Sequence, residues 1–172
     1  MLLNIILIIV LFICFITDLK QQRIYNRVIF PALIAVLLTH LAASGFNGLK
    51  LSLMGMLIGM GLLIVPYLLG GIGAGDVKLL ALIGAIKGSS FVVNTALYMA
   101  VIGGVIALII IIKSGALVKV LKQLWLWVYS SVCGIKYRLE FPTTSFIKKY
   151  PYGVAIVGGA FICLIFKEAW II

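Results

Sequence analysis

Acid is scarce in this 172-residue chain, which has four acidic residues against fourteen basic ones, and only two of the four are aspartates, Asp18 and Asp76. Charged residues make up 10% of the sequence and hydrophobic residues 65%, a balance that excludes a water-soluble domain and points to a polytopic membrane protein. So little polar surface also argues against nucleic acid as the partner behind the net charge of +10. Histidine is limited to His40, and the three cysteines, Cys14, Cys133 and Cys163, have no C-x-x-C spacing. That leaves neither a zinc set nor a disulfide framework, so the thiols read as small buried hydrophobes. Neither a metal nor a cofactor is expected.

Long apolar runs are what the chain does have. A helix needs about 20 residues to cross the hydrocarbon core. On that ruler, segments fall at Leu2 to Asp18 or slightly beyond, Val28–Ser44, Leu51–Leu69, a weak one from near Asp76, Phe91–Ile112, and Tyr152 to Trp170. The first has no basic leader and is followed by Thr17-Asp18-Leu19-Lys20 instead of small residues, so it reads as a retained helix, not a cleaved signal. The weak fourth segment either spans or dips in and returns. If it spans, eleven of the fourteen basic residues share one face, leaving Lys50, Lys87 and Lys167 on the other. If it returns, the bias disappears. The positive-inside rule therefore favours an all-α fold of about six transmembrane helices, one domain over residues 1–172, with the basic face cytoplasmic and both termini outside.

Between the fifth and sixth helices, Leu117, Leu121, Leu124 and Val128 fall on one helical face, and Trp125, Trp127 and Tyr129 suit the headgroup level. A cytoplasmic interfacial helix over 116–136, in contact with membrane lipid, is expected there. Most of the 18 glycines read as packing devices: Gly55 and Gly59 make a G-x-x-x-G step, and Gly103-Gly104 and Gly158-Gly159 permit close helix approach.

The cluster Gly70, Gly71, Gly73 and Gly75 differs, because it breaks the helical pattern immediately before Asp76. Irregular backbone at membrane depth is tolerated where it lines a wet cavity, and an extended segment beside an acid can pair with a peptide. Ionisable residues at membrane depth are costly and mark function. Asp18 and Asp76 both end up near the basic face, where two close carboxylates resist double ionisation, share a proton and activate a water. This is aspartic-protease chemistry, with a broad neutral activity optimum and an acidic limb expected.

Here the residues carry a family resemblance. Gly73-Ala74-Gly75-Asp76-Val77-Lys78 resembles the G-x-G-D-x-K motif of the type IV prepilin peptidases, the GxGD membrane aspartic proteases. Asp18-Leu19-Lys20-Gln21-Gln22-Arg23-Ile24-Tyr25-Asn26 resembles their earlier motif, an aspartate followed by basic residues and R-I-P-N, with Tyr25 in place of the proline. Pro151-Tyr152-Gly153 resembles the family's C-terminal pattern. The resemblance implies cleavage of the short basic leader of prepilins or pseudopilins, after a glycine, at the cytoplasmic face of the cell membrane. It implies Asp18 and Asp76 as the catalytic pair, Gly73 and Gly75 admitting an extended substrate, Lys78 biasing the charge of the pair, and Arg23 and Asn26 in support.

Larger family members add a cytoplasmic domain with paired C-x-x-C motifs and also methylate their product; this chain resembles the short peptidase-only form. Presenilin-like proteases share G-x-G-D, but their P-A-L motif comes late, whereas Pro31-Ala32-Leu33 precedes Asp76 here. The alternative from another class is a small proton-coupled transporter using Asp18 and Asp76. Such carriers place the acid near the bilayer midplane between symmetric halves, and neither feature is evident.

Overall fold

A computed structural model describes residues 2–21, 23–113, 122, 125, 126, 129 and 152–166. All regular structure among them is helical: α1 Leu2–Gln21, α2 Asn26–Leu68, α3 Ala74–Lys87, α4 Ser89–Lys113 and α5 Tyr152–Ile165. By length and composition, Leu2–Gln21, Asn26–Leu68 and Ser89–Ile110 can cross a membrane, and Tyr152–Ile165 is a shorter apolar helix. The chain divides into two compact units, Met1–Gly103 with Pro151–Ile172, and Gly104–Tyr150. The interfacial helix expected over 116–136 lies outside the described residues except at 122, 125, 126 and 129, which are helical, with Trp125 and Tyr129 exposed.

Within the first unit, the apolar segments show which face each helix buries. On α1, Leu7, Leu11, Cys14 and Asp18 recur at steps of three and four residues and are buried, while Ile5, Ile8, Ile9, Phe12 and Leu19 are exposed. Large exposed aliphatic surfaces of this kind suit contact with lipid rather than water. The buried stripe ends on Asp18, so the helical period that packs α1 also delivers its one acid to the protein interior.

The spans expected at Val28–Ser44 and Leu51–Leu69 are the two legs of α2. They are joined at Gly45, whose φ of 58° and ψ of −147° interrupt the helix, a left-handed backbone that glycine takes without a Cβ penalty. A Cβ on Gly48 would lie 2.6 Å from the His40 carbonyl oxygen. In a straight helix eight residues rise about 12 Å, so the chain turns back on itself at Gly45.

The second leg of α2 packs against α3 through the glycine step. A Cβ on Gly55 would lie 2.1 Å from the Gly84 carbonyl oxygen, and one on Gly59 would lie 2.5 Å from that of Leu80. The Ser52 hydroxyl donates to the Ala85 carbonyl at 2.8 Å. The pairing order, 52 with 85, 55 with 84 and 59 with 80, makes the two segments antiparallel. Gly159 of α5 makes a similar close approach to α4, where a Cβ would lie 2.7 Å from the Thr95 carbonyl oxygen. Among the described residues, nothing lies within 4 Å of a Cβ on Gly104.

Helix α3 is the centre of the unit. From Asp76 to Ile86 every residue except Lys78 is buried, the all-round pattern of a helix enclosed by others. Lys87 at its end donates to Asn4 of α1 at 2.7 Å, while Asp76 at its start shares a cleft with Asp18 near the end of α1. Helix α3, the weak fourth segment, therefore lies antiparallel to α1.

Candidate active site

Asp76 is oriented by the start of its own helix. Gly73 precedes α3 in an extended conformation, φ −78° and ψ 149°, and its N–H donates to Asp76 Oδ2 at 3.2 Å. The Asp76 N–H returns a bond to the Gly73 carbonyl at 3.1 Å. A carboxylate in the first helical turn satisfies an otherwise unpaired amide and faces the positive end of the helix dipole.

Asp18 is oriented by a helix distant in sequence. The Val154 N–H, in the first turn of α5, donates to Asp18 Oδ2 at 3.0 Å. The approach is close: a Cβ on Gly153 would lie 2.7 Å from Asp18 Cγ. Tyr152, the first residue of α5, is within electrostatic reach of Asp76.

Both acids line one cleft of about 430 Å³, together with Arg23, Ile24, Tyr25, Asn26, Gly73, Ala74 and Gly75. Asp18 is only 5% exposed and Asp76 8%, so a group bound between them meets two largely desolvated carboxylates. The starts of α2 and α3 line this cleft and that of α5 meets Asp18, so their dipoles place partial positive charge near the acids. A larger cavity of about 480 Å³ lies toward Lys87, at the other end of α3, and includes neither aspartate. Among the described residues no cluster of three or more His, Cys, Asp or Glu side chains offers a metal site.

Of the supporting residues expected from the sequence, Arg23, Asn26, Gly73 and Gly75 line the cleft. Gly75 is needed for close approach, since a Cβ there would lie 2.9 Å from Ile24 Cβ. Lys78 reaches the rim of the cleft through one of these residues. Its ammonium donates to Asn26 Oδ1 at 3.0 Å and sits 5.3 Å from the centre of the Phe30 ring, tying the start of α3 to the start of α2. Tyr25 adopts φ −84° and ψ 128°, near the range proline requires, and its hydroxyl donates to Gln21 Oε1. The site residues not anticipated are Gly153 and Val154. Gly153 stood in the Pro151-Tyr152-Gly153 pattern without a role attached to it, and Val154 contributes a backbone amide, which leaves no mark in the sequence.

Two acids 58 positions apart, held by backbone amides in one cleft beside the G-x-G-D loop, match the motifs that carry the resemblance. A sequence model of the type IV leader peptidase family matches residues 5–108. The chain belongs to the type IV leader peptidase family. Comparison with curated proteins and with solved structures returns no match. The matched stretch of the peptidase contains both aspartates and all the supporting residues expected from sequence, while α5 lies beyond it.

Proposed function

We propose that this leader peptidase is a membrane aspartic endopeptidase that removes the short basic leader of type IV prepilins or pseudopilins, cutting after a glycine at the cytoplasmic face of the cell membrane. The observation that carries the reading is the shared cleft of Asp18 and Asp76. Two nearby carboxylates resist double ionisation and hold one proton between them. The ionised member takes a proton from a water, the resulting hydroxide adds to the glycyl carbonyl, and the protonated member donates to the carbonyl oxygen. Collapse of the adduct expels the new amino terminus, which takes up a proton.

In this reading the chain crosses the membrane six times, through α1, both legs of α2, α3, α4 and α5, with the cleft on the cytoplasmic side and a lipid-bound interfacial segment between α4 and α5. Arg23, Asn26, Gly73 and Gly75 border the bound substrate, and Lys78 braces the site through Asn26. The position of both acids near helix ends, rather than midway along them, weighs against a proton-coupled carrier, which places its acid near the midplane.

The test is incubation of the purified peptidase with peptides in which a basic leader ending in glycine is joined to an apolar helix, with the cut mapped by mass spectrometry. A single cut after the glycine is expected. Intact peptide across several leaders would contradict the proposal and make ion flux in liposomes the next measurement.

A further inference from the structure

We propose that the first turn of α5 completes the active site, with Gly153 as a positioning residue that sets the Asp18 carboxylate in the cleft. This rests on the reading of Asp18 and Asp76 as the catalytic pair. Asp18 lies near the exposed end of α1, and a carboxylate there has freedom about two side-chain torsions unless something fixes it. What fixes it is the Val154 amide, which donates to Oδ2 at 3.0 Å, with residue 153 packed directly against the carboxylate. The helix start can reach the carboxylate only because residue 153 has no side chain. A Cβ would lie 2.7 Å from Asp18 Cγ, 2.8 Å from Oδ2 and 3.0 Å from Asp18 Cβ.

The rest of α5 is built to hold that first turn in place. Ala155, Ile156 and Ala160 are fully buried, and Gly159 brings the helix onto the α4 backbone at Thr95 and Met99. Among the described residues, a Cβ on Gly158, one residue earlier, meets only the flexible end of Ile102, at 3.0 Å. A methyl group at 158 is therefore accommodated by a side-chain shift. At 153 it has to displace the carboxylate or the helix start. Misplacing a reacting group by about 1 Å costs on the order of 100-fold in rate, so residues 152–154, outside the stretch that matches the family, are part of the catalytic apparatus.

The experiment compares Gly153→Ala with Gly158→Ala, measuring kcat and KM separately on a leader peptide and thermal stability in detergent, with Asp18→Asn and Asp76→Asn alongside. Gly153→Ala is expected to lose about 100-fold in kcat with KM changed less than about twofold, while Gly158→Ala retains wild-type kcat. The same Gly153→Ala change made in an Asp18→Ala background, where the carboxylate is gone, is expected to lower the melting temperature less than it does in the wild type. If Gly153→Ala cannot be recovered folded, recovery of the double variant as a folded protein supports the contact, and failure of both overturns it. Wild-type kcat in Gly153→Ala, with both Asn variants inactive, overturns the role of α5 alone. Activity retained in the Asn variants overturns the catalytic pair itself.

Discussion

Replacing Gly55 with alanine tests the packing that positions α3, and through it Asp76. The added methyl would sit 2.1 Å from the Gly84 carbonyl oxygen and 2.8 Å from its carbon. These are backbone atoms that no rotamer change can move. A relaxed C···O contact is about 3.3 Å, so the second leg of α2 and α3 must separate by roughly 1.2 Å. That would stretch the Ser52–Ala85 hydrogen bond from 2.8 Å to about 4 Å, beyond bonding range. Overpacking costs about 1–3 kcal/mol and loss of the hydrogen bond about 1 kcal/mol, for a total of about 2–4 kcal/mol. At roughly 2–4 °C per kcal/mol for a chain of this size, the melting temperature should fall by about 5–15 °C.

The internal control is Gly61→Ala, on the same leg, where a Cβ meets nothing within 4 Å among the described residues. That change should be neutral or stabilising by up to about 1 kcal/mol, since alanine is the better helix former. Thermal unfolding of both variants in one detergent gives the comparison. If Gly55→Ala melts within a degree or two of Gly61→Ala, the close α2–α3 crossing is wrong.

Lys78→Met should keep the fold and lower cleavage by no more than about tenfold, because a lost hydrogen bond to Asn26 is worth about 0.5–1.5 kcal/mol. Inactivity as deep as that of Asp76→Asn would instead return Lys78 to the chemistry of the pair. Tyr25→Pro should leave the unfolding free energy unchanged or raised by up to about 1 kcal/mol, since φ at this position is already −84°; a loss of more than about 1 kcal/mol would refute the compatibility. Ser52→Ala removes only the hydroxyl and should cost about 1 kcal/mol in chemical or thermal unfolding, with no change in cleavage; no measurable cost would show that the bond to Ala85 contributes nothing.

Much of this arrangement was legible in the sequence because lipid and packing leave periodic marks. The apolar runs marked α1, both legs of α2, α4 and α5, and the weak run from near Asp76 marked α3. The G-x-x-x-G step at Gly55 and Gly59 marked the α2–α3 contact, because only small residues allow backbones so close. Asp18 and Asp76 stood out because unpaired acids are rare in such a chain.

What the sequence did not reveal depends on contacts between distant segments. Nothing in the run from Tyr152 onward says that an amide of its first turn meets Asp18, 136 positions earlier, since backbone donors carry no sequence signature. The direction of Lys78 was equally hidden. Its position two residues after Asp76 does not give the direction of its side chain, whose ammonium meets Asn26 and Phe30.

The most direct test of the central claim is cleavage of a prepilin-type peptide by wild type, Asp18→Asn and Asp76→Asn under identical conditions, each shown to be folded. Wild type should cut after the leader glycine, and each single variant should be essentially inactive, because a shared-proton mechanism fails when either carboxyl is lost. Near-normal cleavage by either variant would contradict it.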